Sequence, residues 1–142
     1  MTGGGPTPTV EAILTWLDEK PGLSRCIAAA RRLDQLRGDD PGALTPRTVV
    51  VLRNFTIEPL EPVWKVAGAR AGLGLDIRYS GYDPGPGDEL DGLMASQPDA
   101  VFVALRLDEF APALSRDFLT PGRPPADALA DGIVERVMSL VD

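Results

Sequence analysis

The chain has 142 residues, 44% of them apolar and 25% charged, which is enough for one domain burying roughly 68–70% of its unfolded surface. The net charge of −7 arises in the second half: residues 1–72 carry 9 Lys or Arg against 8 Asp or Glu, residues 73–142 carry 5 against 13. No basic face suits a phosphate backbone and no apolar run approaches about 18 residues, so we expect neither nucleic-acid binding nor a membrane span.

The start, Met1 to Pro8, is a Gly/Thr/Pro segment with little to bury, and a disordered tail over 1–8 is expected. It does not have the basic-then-apolar pattern of a signal peptide, and the expected location is cytoplasmic. Val10, Ile13, Leu14 and Leu17 then recur at helical spacing until Pro21-Gly22 interrupts them. Leu23, Cys26, Ile27, Ala30, Leu33 and Leu36 make a second stripe that ends at Gly38. Residues 9–37 therefore read as a helical hairpin with one apolar side. The single Cys26 lies among apolar neighbours, as a small buried side chain would, not a reactive thiol. Residues 38–46, polar and containing Gly and Pro, read as a linker.

From Arg47 the pattern becomes strand, helix, strand, helix, strand. "TVVVL" (48–52) and "AVFVAL" (100–105) are unbroken apolar runs, expected of strands covered on both faces. "LDIRYS" (75–80) alternates, as an edge strand would. Val63, Trp64, Val66, Ala67 and Ala71 suggest an amphipathic helix, closed by Gly72 and Gly74, with Trp64 in the core. Pro62 disfavours helical geometry at Glu61, so the regular helix is predicted to begin at Pro62 after an irregular turn, with Thr56 available as its cap. A shorter helix follows over Asp88 to Ser96, and a last one over Ala126 to Val141 with Leu129, Ile133, Val137 and Leu140 on one stripe.

Right-handed crossovers give this pattern a strand order of 2-1-3. The predicted fold is thus a three-layer α/β domain over 47–142: a parallel sheet, incomplete beside the usual five-stranded flavodoxin-like or SGNH-like sheet, preceded by the helical hairpin. The missing strands suggest a domain truncated at its C-terminal end, with self-association through the unfinished sheet.

Ligands of open α/β sheets sit outside the carboxyl ends of the strands, where the strand order reverses. Here that point lies between the first and third strands. Arg53, Asn54 and Thr56 leave one; Arg106 and Asp108 leave the other. These five are the candidate substrate-binding residues. Arg53 and Arg106 could share a phosphate or carboxylate, or pair with Glu58, Asp108 or Glu109. Asn54 could contact substrate or tie backbone. Asp108 and Glu109 could act as acid or base, or simply be solvated. "GYDPGPGDEL", from Gly81, misses the spacing of a calcium loop and reads as a turn. No metal site or cofactor is expected.

"VVVLRNFTIEPLEPVWKVAGARAGLGLDIRYSGYD" followed by "PDAVFVALRLDEF" resembles the N-terminal, SGNH-like part of FkbH-like proteins of the HAD superfamily, subfamily IIIC. The similarity covers about Arg47 to Phe110 and is carried by "NFTIEPL" with a downstream "ALRL". It implies a substrate- or carrier-handling domain in a glyceryl transferase/phosphatase system, in which a phosphorylated three-carbon unit reaches an acyl carrier protein for polyketide assembly. The DxDxT motif of the HAD domain is not among these residues, so phosphoryl chemistry, and the Mg²⁺ it uses, would lie elsewhere. SGNH ester hydrolysis needs a Ser, a His and a carboxylate, and the chain has no His. No catalytic residue is therefore assigned. The alternative is a non-catalytic docking module that binds a biosynthetic multienzyme through its hairpin or its acidic half.

Overall fold

The structure is a computed structural model that describes residues 8–82, 87–106, 108 and 126–139. The tail over 1–7, Asp83, Leu107, Glu109, Leu140 and the side chain of Leu129 lie outside this description. In chain order the elements are α1 (Val10–Glu19), α2 (Leu23–Asp39), β1 (Thr45–Arg53), a short 3-10 turn (Glu58–Leu60), α3 (Glu61–Arg70), β2 (Leu73–Tyr79), α4 (Asp88–Ala95), β3 (Ala100–Ala104) and α5 (Ala126–Met138). The sheet is open and parallel, in order β2-β1-β3. No helix among the described residues is long and apolar enough to cross a membrane.

The chain divides into two compact units, and β1 and β2 contribute residues to both. The first holds the described residues up to Thr48 together with Glu58–Ile77. Its core is built from Ile13 and Leu17 of α1, Ala29, Leu33 and Leu36 of α2, Leu44, and Val66 and Ala69 of α3. Thr9 starts α1 by accepting a hydrogen bond from the Ala12 amide, 3.2 Å away, which satisfies one of the helix's orphan donors. The α2 stripe runs through Ala29, Ala30, Leu33 and Leu36, whereas Leu23, in the first turn, is 65% exposed. Cys26 is half-buried against this core, less enclosed than its sequence neighbours suggest.

The third helix follows a short turn, as the prolines predict, but it starts at Glu61, one residue before the expected Pro62, and Thr56 does not cap it. Leu60 holds the cap position with no side-chain hydrogen bond, and Thr56 bonds elsewhere. The buried face of α3 is Val66, Gly68 and Ala69, while Val63 and Ala67 are exposed and Trp64 is half-buried. Gly68 is there because α3 passes close to β2: a Cβ at this position would meet Leu75 Cγ at 2.7 Å and the Leu73 carbonyl oxygen at 3.2 Å. Gly72 turns the chain from α3 into β2 at φ +75°, a conformation that a side chain disfavours. Lys65 bridges Asp34 (2.8 Å) and Glu61 (2.9 Å). Partial desolvation works against its charge, but these two carboxylates outweigh it and raise its pKa. Arg70 pairs with Asp18 and holds that carboxyl below its ordinary range, chiefly by hydrogen bonding.

The second unit comprises Val49–Ile57 and the described residues from Arg78 onward. Val50, Val51 and Leu52 are fully buried, which fits a central strand, and each contributes about 1.5–3 kcal/mol by leaving water. Val50 and Leu52 share one face of the sheet with Leu90, Leu93 and Met94 of α4, Val101 and Val103 of β3, and Ile133 and Val137 of α5. The parallel register with β3 runs from Val49 opposite Ala100 to Arg53 opposite Ala104. The unbroken apolar run of β3 is not covered on both faces. It is an edge strand, and Phe102, pointing away from Val101 and Val103, is 49% exposed.

Candidate functional site

The register decides where the strand exits fall. Because Arg53 lies opposite Ala104, the next residue of β1 and the second residue after β3 leave the sheet beside one another. Asn54 closes that gap. Its amide nitrogen donates to the Arg106 carbonyl oxygen at 3.1 Å, and its amide oxygen accepts from the Arg106 N–H at 2.6 Å. One side chain thus satisfies both backbone groups of a residue that has just left the ladder, as a further pair of strand residues would. Of the two roles open to Asn54, the structure exhibits the backbone tie.

Arg53 faces the other neighbour, β2. It is a buried cation held in place by the residues that follow that strand. Its backbone N–H donates to Ser80 Oγ (3.0 Å) and its Nε to the Ser80 carbonyl oxygen (2.9 Å). The guanidinium lies over the rings of Tyr79 and Tyr82, 5.1 and 4.4 Å from their centroids. Such contacts stabilise a cation by about 0.5–2 kcal/mol according to how dry they are, and here they offset part of the cost of burial. The Ser80 amide extends the ladder by donating to the Val51 carbonyl oxygen at 2.9 Å. Thr56 Oγ1 and Tyr82 Oη are 3.2 Å apart, and Glu89 Oε1 accepts from the Gly81 amide at 2.7 Å.

Arg106 and Asp108 form a two-point pair, Nε to Oδ1 at 3.2 Å and Nη2 to Oδ2 at 2.6 Å. Both side chains are about half exposed, 52% and 47%. The five candidates from the sequence therefore belong to one linked surface at the carboxyl ends of the strands, in two branches. Arg53 and Thr56 connect to the β2 exit; Asn54, Arg106 and Asp108 connect the β1 and β3 exits. Arg53 is held by Ser80 and the two tyrosine rings, and Arg106 pairs with Asp108.

Compared with protein-family models, curated proteins and solved structures, the chain matches none.

Tyr79, Ser80, Tyr82 and Glu89 complete the surface, and none of them is among the five candidates from sequence. Their signal is "YSGY" directly after an alternating strand, two aromatics placed to flank a cation from the neighbouring strand. Chemically the described surface has hydrogen-bond donors, hydroxyls and the half-exposed Arg106 guanidinium paired with Asp108. It offers no activated nucleophile among the described residues: with no His in the chain, the Thr56 and Tyr82 hydroxyls face each other, and Ser80 Oγ accepts from Arg53 and donates to the Gly81 carbonyl. No group of His, Cys, Asp and Glu that could hold a metal occurs among the described residues.

Proposed function

We propose that this chain is the N-terminal, substrate- or carrier-handling domain of an FkbH-like glyceryl transferase/phosphatase system, and that its strand-exit surface binds a small phosphorylated three-carbon acid without hydrolysing it. The reading rests on the Asn54 tie to Arg106, which makes one fixed surface of the two exits flanking the point where the strand order reverses. Around it the chemistry suits anion recognition and not acyl transfer, since a half-exposed Arg already paired with a carboxylate is present and a His base is not. The resemblance over Arg47 to Phe110 supplies the substrate class. Calorimetric titration with phosphoglycerate tests it: saturable binding with no response to glycerol is expected, and equal or absent heats for both would contradict it.

A second reading, a docking module, is favoured by a different observation. Phe102 on β3 and Val134 and Met138 on α5 leave apolar surface exposed on the second unit. An acyl carrier protein or a biosynthetic multienzyme would then bind there with the strand-exit residues uninvolved.

A further inference from the structure

The first unit contains a cavity of about 540 Å³ lined by the start of α1 and the end of α2, and none of the five strand-exit candidates borders it. Volumes of roughly 300–1,000 Å³ are those of small-molecule sites. The apolar part of the lining is Val10, Leu36 and Ala43, buried or half-buried against the core of this unit. The charged part has one sign: Glu11, Asp39 and Asp40, all exposed, with no Lys or Arg. Among the described residues no ion pair engages any of these three carboxylates.

The end of α2 adds acceptors whose amide partners are engaged elsewhere. A helix leaves its last carbonyls without donors unless the following residues turn back to them. Here Pro41 has no N–H, the Gly42 N–H donates to Asp40 Oδ1 at 3.1 Å, and the Ala43 N–H donates to the Asp40 carbonyl oxygen at 3.1 Å. Arg37, the basic residue of the last turn, reaches away to the Leu75 carbonyl oxygen at 3.0 Å. Asp39 and Asp40 therefore stand at the negative end of the α2 dipole, an arrangement that a cation relieves. At the start of α1, Glu11 offsets the positive end and Thr9 takes the Ala12 amide. Two other cavities of this unit already contain cations. One of about 380 Å³ touches Trp16, over which Arg25 and Arg32 lie at 4.5 and 4.0 Å; one of about 200 Å³ is lined by Arg31 and Lys65 beside its acids.

We propose that the larger cavity binds a small aliphatic amine in its ammonium form, with the charge among Glu11, Asp39 and the end of α2 and the hydrocarbon against Val10, Leu36 and Ala43. An ammonium group brings three donors and a positive charge to acceptors that are short of both. A body of a few methylenes replaces water on the apolar lining. The carboxylates are spread around the opening, and among the described residues they form no group that could hold a metal ion. The site shares no residue with the strand-exit surface and has the opposite preference in charge.

Titration of the whole chain with butylammonium chloride, followed through the backbone amides by NMR, tests this against butanol and ammonium chloride at constant ionic strength. Butylammonium is expected to give saturating shifts at amides within 9–11 and 36–43. Butanol has the body without the charge, and ammonium the charge without the body, so both should bind more weakly. Asp39→Asn is expected to weaken butylammonium about two- to fivefold, the range an exposed ion pair accounts for. Its melting temperature should not fall, because the change removes a negative charge from the negative end of α2. Equal affinity for butanol or for ammonium, an undiminished affinity in D39N, or no saturation by butylammonium would each overturn the proposal. The amides of 53–56 and Arg106 should stay still throughout, so failure here leaves the strand-exit reading standing.

Discussion

Asn54 shows how one residue can join two loops. Its amide supplies a donor and an acceptor to Arg106, so replacing either half by a methyl group leaves one backbone group of Arg106 to water. Asn54→Ala should cost about 1–2 kcal/mol, the usual worth of two partly exposed hydrogen bonds, and should lower the urea midpoint with an unchanged slope. An unaltered midpoint would mean that the two exits hold their places without it. Local chemistry made Asn54 a candidate for a backbone tie, because Asn commonly bonds nearby main chain, but the partner lies 52 residues away and only strand order could bring it into range. Thr56 was harder to read. Its position before a proline-marked helix suggested a cap, whereas the hydroxyl of Tyr82 takes it up instead, a tertiary partner that no local pattern discloses.

At the scale of elements, pattern carried most of the fold and burial carried the corrections. The contrast between the unbroken "TVVVL" and the alternating "LDIRYS" was enough to place β1 in the centre and β2 at an edge, and the order β2-β1-β3 follows from right-handed crossovers. The same reasoning gave β3 too much cover, because an apolar run reports what a strand could bury and not which neighbours it has. On α3, five apolar residues suggested one face while packing selected another through Val66, Gly68 and Ala69. Gly68 makes that packing testable. Alanine there would strengthen the helix intrinsically by roughly 0.5–1 kcal/mol, yet its Cβ would press on Leu75 and the Leu73 carbonyl. Overpacking of this kind costs typically 1–3 kcal/mol, so Gly68→Ala should destabilise by about 1–2 kcal/mol in urea denaturation. A stabilised variant would show that α3 does not approach β2 so closely.

Across the whole molecule the proposed function sets the strand exits against the overall charge. The acidic second half keeps the net charge at −7, which disfavours anions in general, so the proposed anion recognition depends on local geometry. The proposed site is the surface around Arg53, Asn54, Thr56, Tyr82, Arg106 and Asp108, where the chain has no His to act as a base. NMR titration of the whole chain with phosphoglycerate tests this most directly. The account predicts shifts concentrated at the backbone amides of residues 53–56 and at Arg106, saturating with ligand and leaving α1 and α2 unmoved. Silent signals at those positions, or shifts confined to α5 and Phe102, would contradict it.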